Sequence, residues 1–342
     1  PLFNPLFDMK ISILIIIFSL LGLNAFPQSR EYAYSCLFYN LENMFHPSND
    51  SLESDDDFTP EGVRNWTFYR YNMKLTQICK VILASNGWET PTLICLSELE
   101  NRQVVEDIVR HPLLMKTSYR ILHRDSPDHR GIDVAILYRE DKLTCIDTVW
   151  LQTKDTNDQL MNTREMLCGK FVLNRDTLLC VANHWTSKYG GELETEAKRM
   201  QQAMVLGGFI DSALNSQPGL CIIAGGDFNE ASRSKSIKTL ISTFHLSEVL
   251  PENGNCSYKY QGIWESIDHV FIGGNLFTNN CKATVIKIPF LLEDDVKYTG
   301  SMPLRTYRGF KFNGGVSDHL PLLLEFDPGK RQGNLPALVR AQ

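Results

Sequence analysis

The chain has 342 residues, 43% of them apolar, and a formal net charge of −6, which suits one large domain or two small ones burying about three-quarters of the unfolded surface. Mild acidity excludes a basic protein that coats nucleic acid through its overall charge, and leaves room for an enzyme that grips phosphate locally through a metal and a few arginines. Nine cysteines without a Cys-x-x-Cys spacing argue against a structural zinc site, and their odd number leaves at least one free or bridging two chains in an oxidising compartment.

From the N-terminus, Met9 and Lys10 precede an apolar run from Ile11 to Leu23 that closes on Leu23-Asn24-Ala25, the charged, apolar and small-residue parts of a secretory signal. An uncleaved anchor is the competing reading, but the run is shorter than the ~20 residues of an ordinary bilayer span. The expectation is a leader over residues 1–25 with the signal peptide at 9–25, export to the periplasm, cell surface or medium, and no stable membrane span after cleavage. Residues 26–342, without internal repeat or long low-complexity linker, read as a single domain with a short flexible tail from about 328.

Runs rich in β-branched and apolar residues mark strands at 32–39, 92–97, 132–138, 145–151, 170–173, 177–183, 220–225, 267–272 and 321–326. Helical spacing marks 66–83, through Met73, Leu75, Ile78, Val81 and Ile82, and 194–214, through Ala197, Met200, Met204 and Ala213; shorter helices fall at 102–109 and 234–241. Many strands with few helices between them predict packed sheets with helices outside, not a doubly wound parallel sheet. Asp55-Asp56-Asp57 and residues 299–315 read as loops, and Cys95, Cys180 and Cys221, each inside an apolar run, as buried small hydrophobes.

Polar side chains gather where these strands end or begin. After Leu93-Ile94-Cys95-Leu96, Glu98 places a hard oxygen ligand at the sheet rim, suited to magnesium, which takes one or two carboxylates and keeps several waters. Glu100 is its rival, and a plain polar turn is the bland reading. Asp133 is an acid inside an otherwise apolar strand, costly unless paired or hydrated, and the nearest candidate partner for His184. His184 itself, after Val181-Ala182-Asn183, is by residue type more often a packed side chain than a catalyst. In Ile222-Ile223-Ala224-Gly225-Gly226-Asp227-Phe228-Asn229 the glycines permit a close backbone approach or a positive φ. Asp227 and Asn229, two apart, face one side, the acid to orient or deprotonate water and the amide to donate to a phosphate oxygen. Asp268 paired with His319 would make a base or a cationic phosphate clamp, while His269 reads as outward or packed. Carboxylates, amides and histidines converging from strand ends are what metal-assisted attack on a phosphate ester requires.

Tyr39-Asn40-Leu41-Glu42, Leu96-Ser97-Glu98, Asn183-His184-Trp185, Gly226-Asp227-Phe228-Asn229, Ile267-Asp268-His269 and Ser317-Asp318-His319, in this order, resemble the endonuclease/exonuclease/phosphatase superfamily. That superfamily includes pancreatic-type deoxyribonuclease, abasic-site endonucleases, inositol-polyphosphate phosphatases and neutral sphingomyelinases. The resemblance runs from Phe38 to Phe326 and implies an α/β (α+β) four-layer sandwich, two packed, mostly antiparallel β-sheets flanked by helices, with the site at one sheet edge. Carried over residue by residue, it implies Glu98 as main magnesium ligand, Asn40 as a metal- or water-positioning amide and Asp318 as a second metal ligand. Asp227 would orient the nucleophilic water or serve the leaving group, Asn229 and His184 contact phosphate, and Asp268 support His319 on the scissile phosphate. Glu42 occupies a position whose role varies among branches, and 298–309 has no counterpart in the core motifs. Arg305, Tyr307 and Arg308 there, like Arg130 and Asp133 earlier, are candidates for holding substrate; for Arg305 and Arg308 ordinary surface charge is an equal reading. Aromatics at 258–264 suit loop packing better than base stacking.

The expected activity is an exported phosphodiesterase, with magnesium, or manganese or calcium in its place, in which an Asp227-oriented water attacks phosphorus in nucleic acid. A sphingomyelinase-like or inositol-phosphate hydrolase is the alternative within enzymes, though Phe290-Leu291-Leu292 is short for a membrane-docking hairpin. A non-catalytic binding module on the same sandwich is the alternative of another class. Oligomeric state is left open.

Overall fold

Strands that are apolar at nearly every position have both faces covered, and the computed structural model shows by what. It describes residues 32–328 except 49–55, 88 and 156; the expected leader at 1–25 and all but the first residue of the expected tail lie outside the described residues. The first half holds strands β1 (Tyr34–Met44), β2 (Leu93–Leu99), β3 (Tyr119–Leu122), β4 (Asp133–Arg139), β5 (Thr144–Leu151), β6 (Met166–Leu173) and β7 (Asp176–His184). The second holds β8 (Cys221–Asp227), β9 (Ser247–Glu248), β10 (Tyr258–Tyr260), β11 (Ile263–Glu265), β12 (Asp268–Gly274) and β13 (Cys281–Val285). Short strands β14 (Leu292–Asp294), β15 (Ser301–Pro303), β16 (Tyr307–Arg308) and β17 (Lys311–Phe312) precede β18 (Leu322–Phe326). Helices are α1 (Phe68–Ser85), α2 (Arg102–Arg110), α3 (Glu192–Ser216) and α4 (Lys235–Ser242). Thr67, Asn101 and Ser234 start α1, α2 and α4 by accepting from the backbone N–H groups of Arg70, Val104 and Ile237.

Two six-stranded sheets form, in the orders β13-β18-β1-β2-β4-β3 and β5-β6-β7-β8-β12-β9. Each contains one parallel pair, β1 with β2 and β7 with β8, and is otherwise antiparallel. Period-two alternation divides the core. Leu178, Cys180 and Ala182 of β7 and Ile223 of β8 join the large cluster shared with the first sheet. Leu179, Val181, Ile222 and Ala224 instead join Leu206 and Ile210 of α3 and Ile237 and Leu240 of α4. Leu75, Ile78 and Ile82 of α1 and Val104 and Ile108 of α2 belong to the first sheet's side of the core. The result is the expected four-layer sandwich, helices outside and mostly antiparallel sheets inside. Cys95, Cys180 and Cys221 are buried free thiols, as their apolar surroundings in sequence predict.

Residues 299–315, expected as loop, contain β15 and the β16–β17 hairpin. Ladders of two or three residue pairs leave no periodic apolar run to read. The acidic stretch enters a short exposed 3-10 turn, Asp56–Phe58.

Candidate active site

In the second sheet His184 of β7 lies opposite Asp227 of β8, and Asp227 opposite Asp268 of β12, one cross-strand row at the strand ends. The glycines before Asp227 make the row possible. A Cβ on Gly225 would sit 2.6 Å from the Phe38 ring, and Gly226 has φ 131° with the Asn183 carbonyl oxygen 2.1 Å from where a Cβ would lie. One glycine serves close approach and the other a backbone that L side chains avoid.

The first sheet contributes Asn40, opposite Ser97 on the parallel β1–β2 ladder. It also contributes Glu98, which alternation alone would turn away. Cys95 touches Cys180 of the other sheet at 3.7 Å, so Ser97 shares its inward face and Glu98 would point outward. The β2–β4 register shifts between Ser97 and Leu99, and Glu98 takes φ 59°; this bulge turns its carboxylate back toward the second sheet.

Asp227 is the hub. Its Oδ2 accepts from Asn40 Nδ2 at 3.1 Å and lies 3.8 Å from both His184 Nε2 and His319 Nε2; its Oδ1 accepts from the Asn229 backbone N–H at 2.8 Å. Glu98 Oε1 accepts from Asn40 Nδ2 at 3.3 Å and stands 3.6 Å from His184 Nε2, while Oε2 accepts from the Asn43 N–H at 2.9 Å. Asp268 Oδ2 holds His319 Nδ1 at 2.8 Å, and Ser317 Oγ ties this last turn to the Asn40 carbonyl at 2.7 Å. The Asn229 amide gives one N–H to the Trp185 carbonyl at 3.1 Å, which leaves its second for a ligand oxygen.

Electrostatics separate the two histidines. Burial holds His184 well below the ordinary histidine range, and the positive Arg164, Arg130 and His319 add to it, so the ring is neutral near pH 7. Burial pulls His319 the same way, but Asp268 and Asp227, with Asp318 behind them, outweigh it and hold the ring well above that range as an imidazolium. Burial raises Asp227; His319 pulls it down, Asp268 and Glu98 push it back up, and it settles at about 7. An acid that exchanges a proton near neutrality thus faces a fixed cation.

One flank is a web of paired charges. Arg305 donates from Nε to Glu42 and from Nη2 to Asp318, both at 3.0 Å, and Glu42 also accepts from the Thr306 N–H at 2.7 Å. The buried Lys74 ammonium donates to the Glu42 carbonyl at 2.7 Å. Burial, the largest influence on each, raises Glu42 to about 7 and lowers Lys74 to about 8. Arg308 pairs with Glu293 at 2.7 Å.

Several expectations meet a different arrangement. Asp133 is not beside His184: its Oδ2 meets His123 Nε2 at 3.0 Å and its Oδ1 accepts from the Ser126 N–H at 2.8 Å, because it lies opposite Leu99, past the bulge. Glu100 turns away to accept from the His46 N–H at 2.7 Å. His269, by contrast, is packed as one of its two readings has it, between Glu248 and the Glu230 carbonyl, each at 2.7 Å. Leu291 is buried, leaving Phe290 as the exposed apolar residue of its triplet.

Lys74 and Arg164 join the site from outside the expected residues, and Tyr258, weighed only as a loop-packing or stacking aromatic, joins it too. Helical spacing places Lys74 four residues before Ile78, on the buried face, a usable signal. The Tyr258 ring packs 4.9 Å from the His319 ring. Buried Arg164 donates to the carbonyls of His184 and Trp185 at 3.2 and 2.7 Å and to Asp128 at 3.1 Å, and nothing in its local sequence marks it.

The donor set fits a hard divalent cation: a mostly buried Glu98 carboxylate beside the Asn40 amide, with Asp318 in the turn that Ser317 ties to Asn40, gives oxygen ligands. Among the described residues, the groups of His, Cys, Asp or Glu whose ligating atoms lie within 4.8 Å of one another are elsewhere: the buried thiols of Cys36, Cys95 and Cys180, and His123, Asp125 and Asp133, where Asp133 already serves His123 and Ser126.

A family model described as the endonuclease/exonuclease/phosphatase family matches residues 35–327. An endonuclease/exonuclease/phosphatase from Bacteroides vulgatus superposes with TM-score 0.57 at 14% identity, covering 86% of this chain and 99% of that one. The human Nocturnin catalytic domain gives 0.53 at 15% identity, covering 86% and 94%, and truncated Caenorhabditis elegans TDP2 gives 0.54 at 14%, covering 86% and 97%. Likeness at these identities is likeness of fold. No curated protein matches the chain in sequence.

Proposed function

Because the chain belongs to the endonuclease/exonuclease/phosphatase family, a family of phosphoester hydrolases, we propose that it is an exported, divalent-metal-dependent phosphodiesterase acting on nucleic acid. The observation that carries this reading is the Asp227 hub, an acid raised to about 7 within 3.8 Å of a cationic His319 that Asp268 holds in place. Export rests on the signal-like residues 9–25.

Glu98 and Asn40, with Asp318 as a further ligand, would hold magnesium, manganese or calcium, which supplies Lewis-acid polarisation of a phosphoryl oxygen. Asp227 orients the attacking water and takes up its proton. His319 and the free N–H of the Asn229 amide donate to phosphoryl oxygens as negative charge develops on them. His184, neutral and buried, with Nε2 3.6 Å from Glu98 and 3.8 Å from Asp227, offers a third donor. Arg130 places a guanidinium beside Asn43 on the substrate side, its Nη2 2.9 Å from Asn43 Oδ1. Arg305 acts through the carboxylates it holds rather than by direct grip.

Mature protein incubated with plasmid DNA, RNA, sphingomyelin and inositol phosphates, in magnesium or in chelator, tests the reading. Metal-stimulated strand cleavage, lost in His319→Ala, is expected. Preferred turnover of sphingomyelin or an inositol phosphate would move the substrate class, and absence of hydrolysis in every arm would leave a binding module.

A further inference from the structure

A cavity of about 500 Å³ lies beside the hub, lined by none of Asn40, Glu98, His184, Asp227, Asn229, Asp268, Asp318 or His319. Arg130, Arg164, Lys198, Thr163, Thr186 and Asp128 line it. It adjoins the chemistry through two short links. Arg130 donates to Asn43, whose backbone N–H donates to Glu98, and Arg164 donates to the carbonyls of His184 and Trp185.

Its charge is lopsided. Asp128, the one acid in this lining, is spent on Arg164 at 3.1 Å. Arg130 and Lys198 have no carboxylate partner among the described residues, in a chain whose net charge is −6. Two unneutralised cations suit a tetrahedral oxyanion, which offers acceptors in several directions. A neutral base or an acyl chain would leave both cations unmet.

Resting on the phosphodiesterase reading, we propose that this cavity seats the phosphate next to the scissile one, so that the substrate is a nucleic-acid strand and not an ester with a single phosphorus. Lys198, exposed on α3, is the residue to change without disturbing the core. Turnover of hexathymidylate and of bis(4-nitrophenyl) phosphate, a diester with one phosphorus, is compared in wild type, Lys198→Ala and Lys198→Arg. Lys198→Ala should raise KM for the strand about tenfold, the worth of one charge-assisted contact, with kcat and turnover of the small diester changed less than twofold. Lys198→Arg should restore the strand's KM. Equal loss on both substrates, or an unchanged KM for the strand in Lys198→Ala, overturns the assignment. If wild type hydrolyses neither substrate, the phosphodiesterase reading fails by itself. Binding of fluorescein-labelled hexathymidylate in chelator then decides the cavity alone: weakening in Lys198→Ala sustains it and unchanged binding removes it.

Discussion

The two flanks of the site carry cations of opposite kinds. Along 305–318 every guanidinium is matched, Arg305 by Glu42 and Asp318 and Arg308 by Glu293, with Lys74 buried beneath Glu42. Across the site, Arg130 and Lys198 face a cavity whose only lining acid is already taken. A matched charge is part of the fold, since removing one partner strands the other, whereas an unmatched one is available to a ligand. Mutations on the first flank should therefore register in stability, and on the second in affinity.

The largest effect falls on the floor both flanks share. His319→Ala and Glu98→Ala should each lower turnover by about 10³-fold with the circular-dichroism spectrum unchanged; near-normal turnover in either would sink the hub assignment. Arg305→Ala should lower the free energy of unfolding in urea by about 2–3 kcal/mol, less than for a fully buried pair because the guanidinium is partly exposed. Should Arg305→Ala keep full stability and lose strand affinity instead, the contrast between flanks is reversed. Lys198→Ala should leave stability within about 0.5 kcal/mol and reduce the salt slope of strand binding by about 0.7.

The smallest effect comes from a matched charge outside the site. Burial alone would raise Glu248, but its hydrogen bond to His269, the His269 charge and Ser232 outweigh it and hold the carboxyl below its ordinary value of 4.5. A depressed folded value means stability that is present above 4.5 and is lost as pH falls through the folded value. Glu248→Gln should thus be about 1 kcal/mol less stable at pH 7, with the gap closing in acid. A gap that is absent at pH 7, or that stays constant on acidification, would show that the ionised carboxylate contributes nothing through this pair.

Residue spacing carries the periodicity of a strand or helix but not the contacts its side chains make across the fold. Both faces of β7 and β8 are covered, so their apolar runs were visible, and the polar residue after each run fell at the same edge in three dimensions. Gly225-Gly226 announced a special backbone but not its division of labour, since nothing in two adjacent glycines says which one Phe38 will press against. The bulge that aims Glu98 has no composition of its own. Asp133 was correctly read as an acid in need of a partner, yet the partner, His123, lies on the chain segment leading into its own hairpin and not across the sheets. Arg164 leaves no trace because its work is done on main-chain carbonyls, which every residue possesses.

Glu42 and Glu98 both hold left-handed backbones, at φ 50° and 59°, and neither is a residue that takes that conformation willingly. Each conformation costs the folded chain of order 1 kcal/mol, and at both positions the carboxylate offsets it by accepting from a backbone N–H, that of Asn43 at Glu98 and that of Thr306 at Glu42. Glycine would relieve the backbone and strand those donors, so Glu98→Gly is expected to melt no higher than wild type while failing to turn over substrate. The side chain placed for chemistry is thus also the latch that keeps its own turn closed, and neither duty can be given up alone.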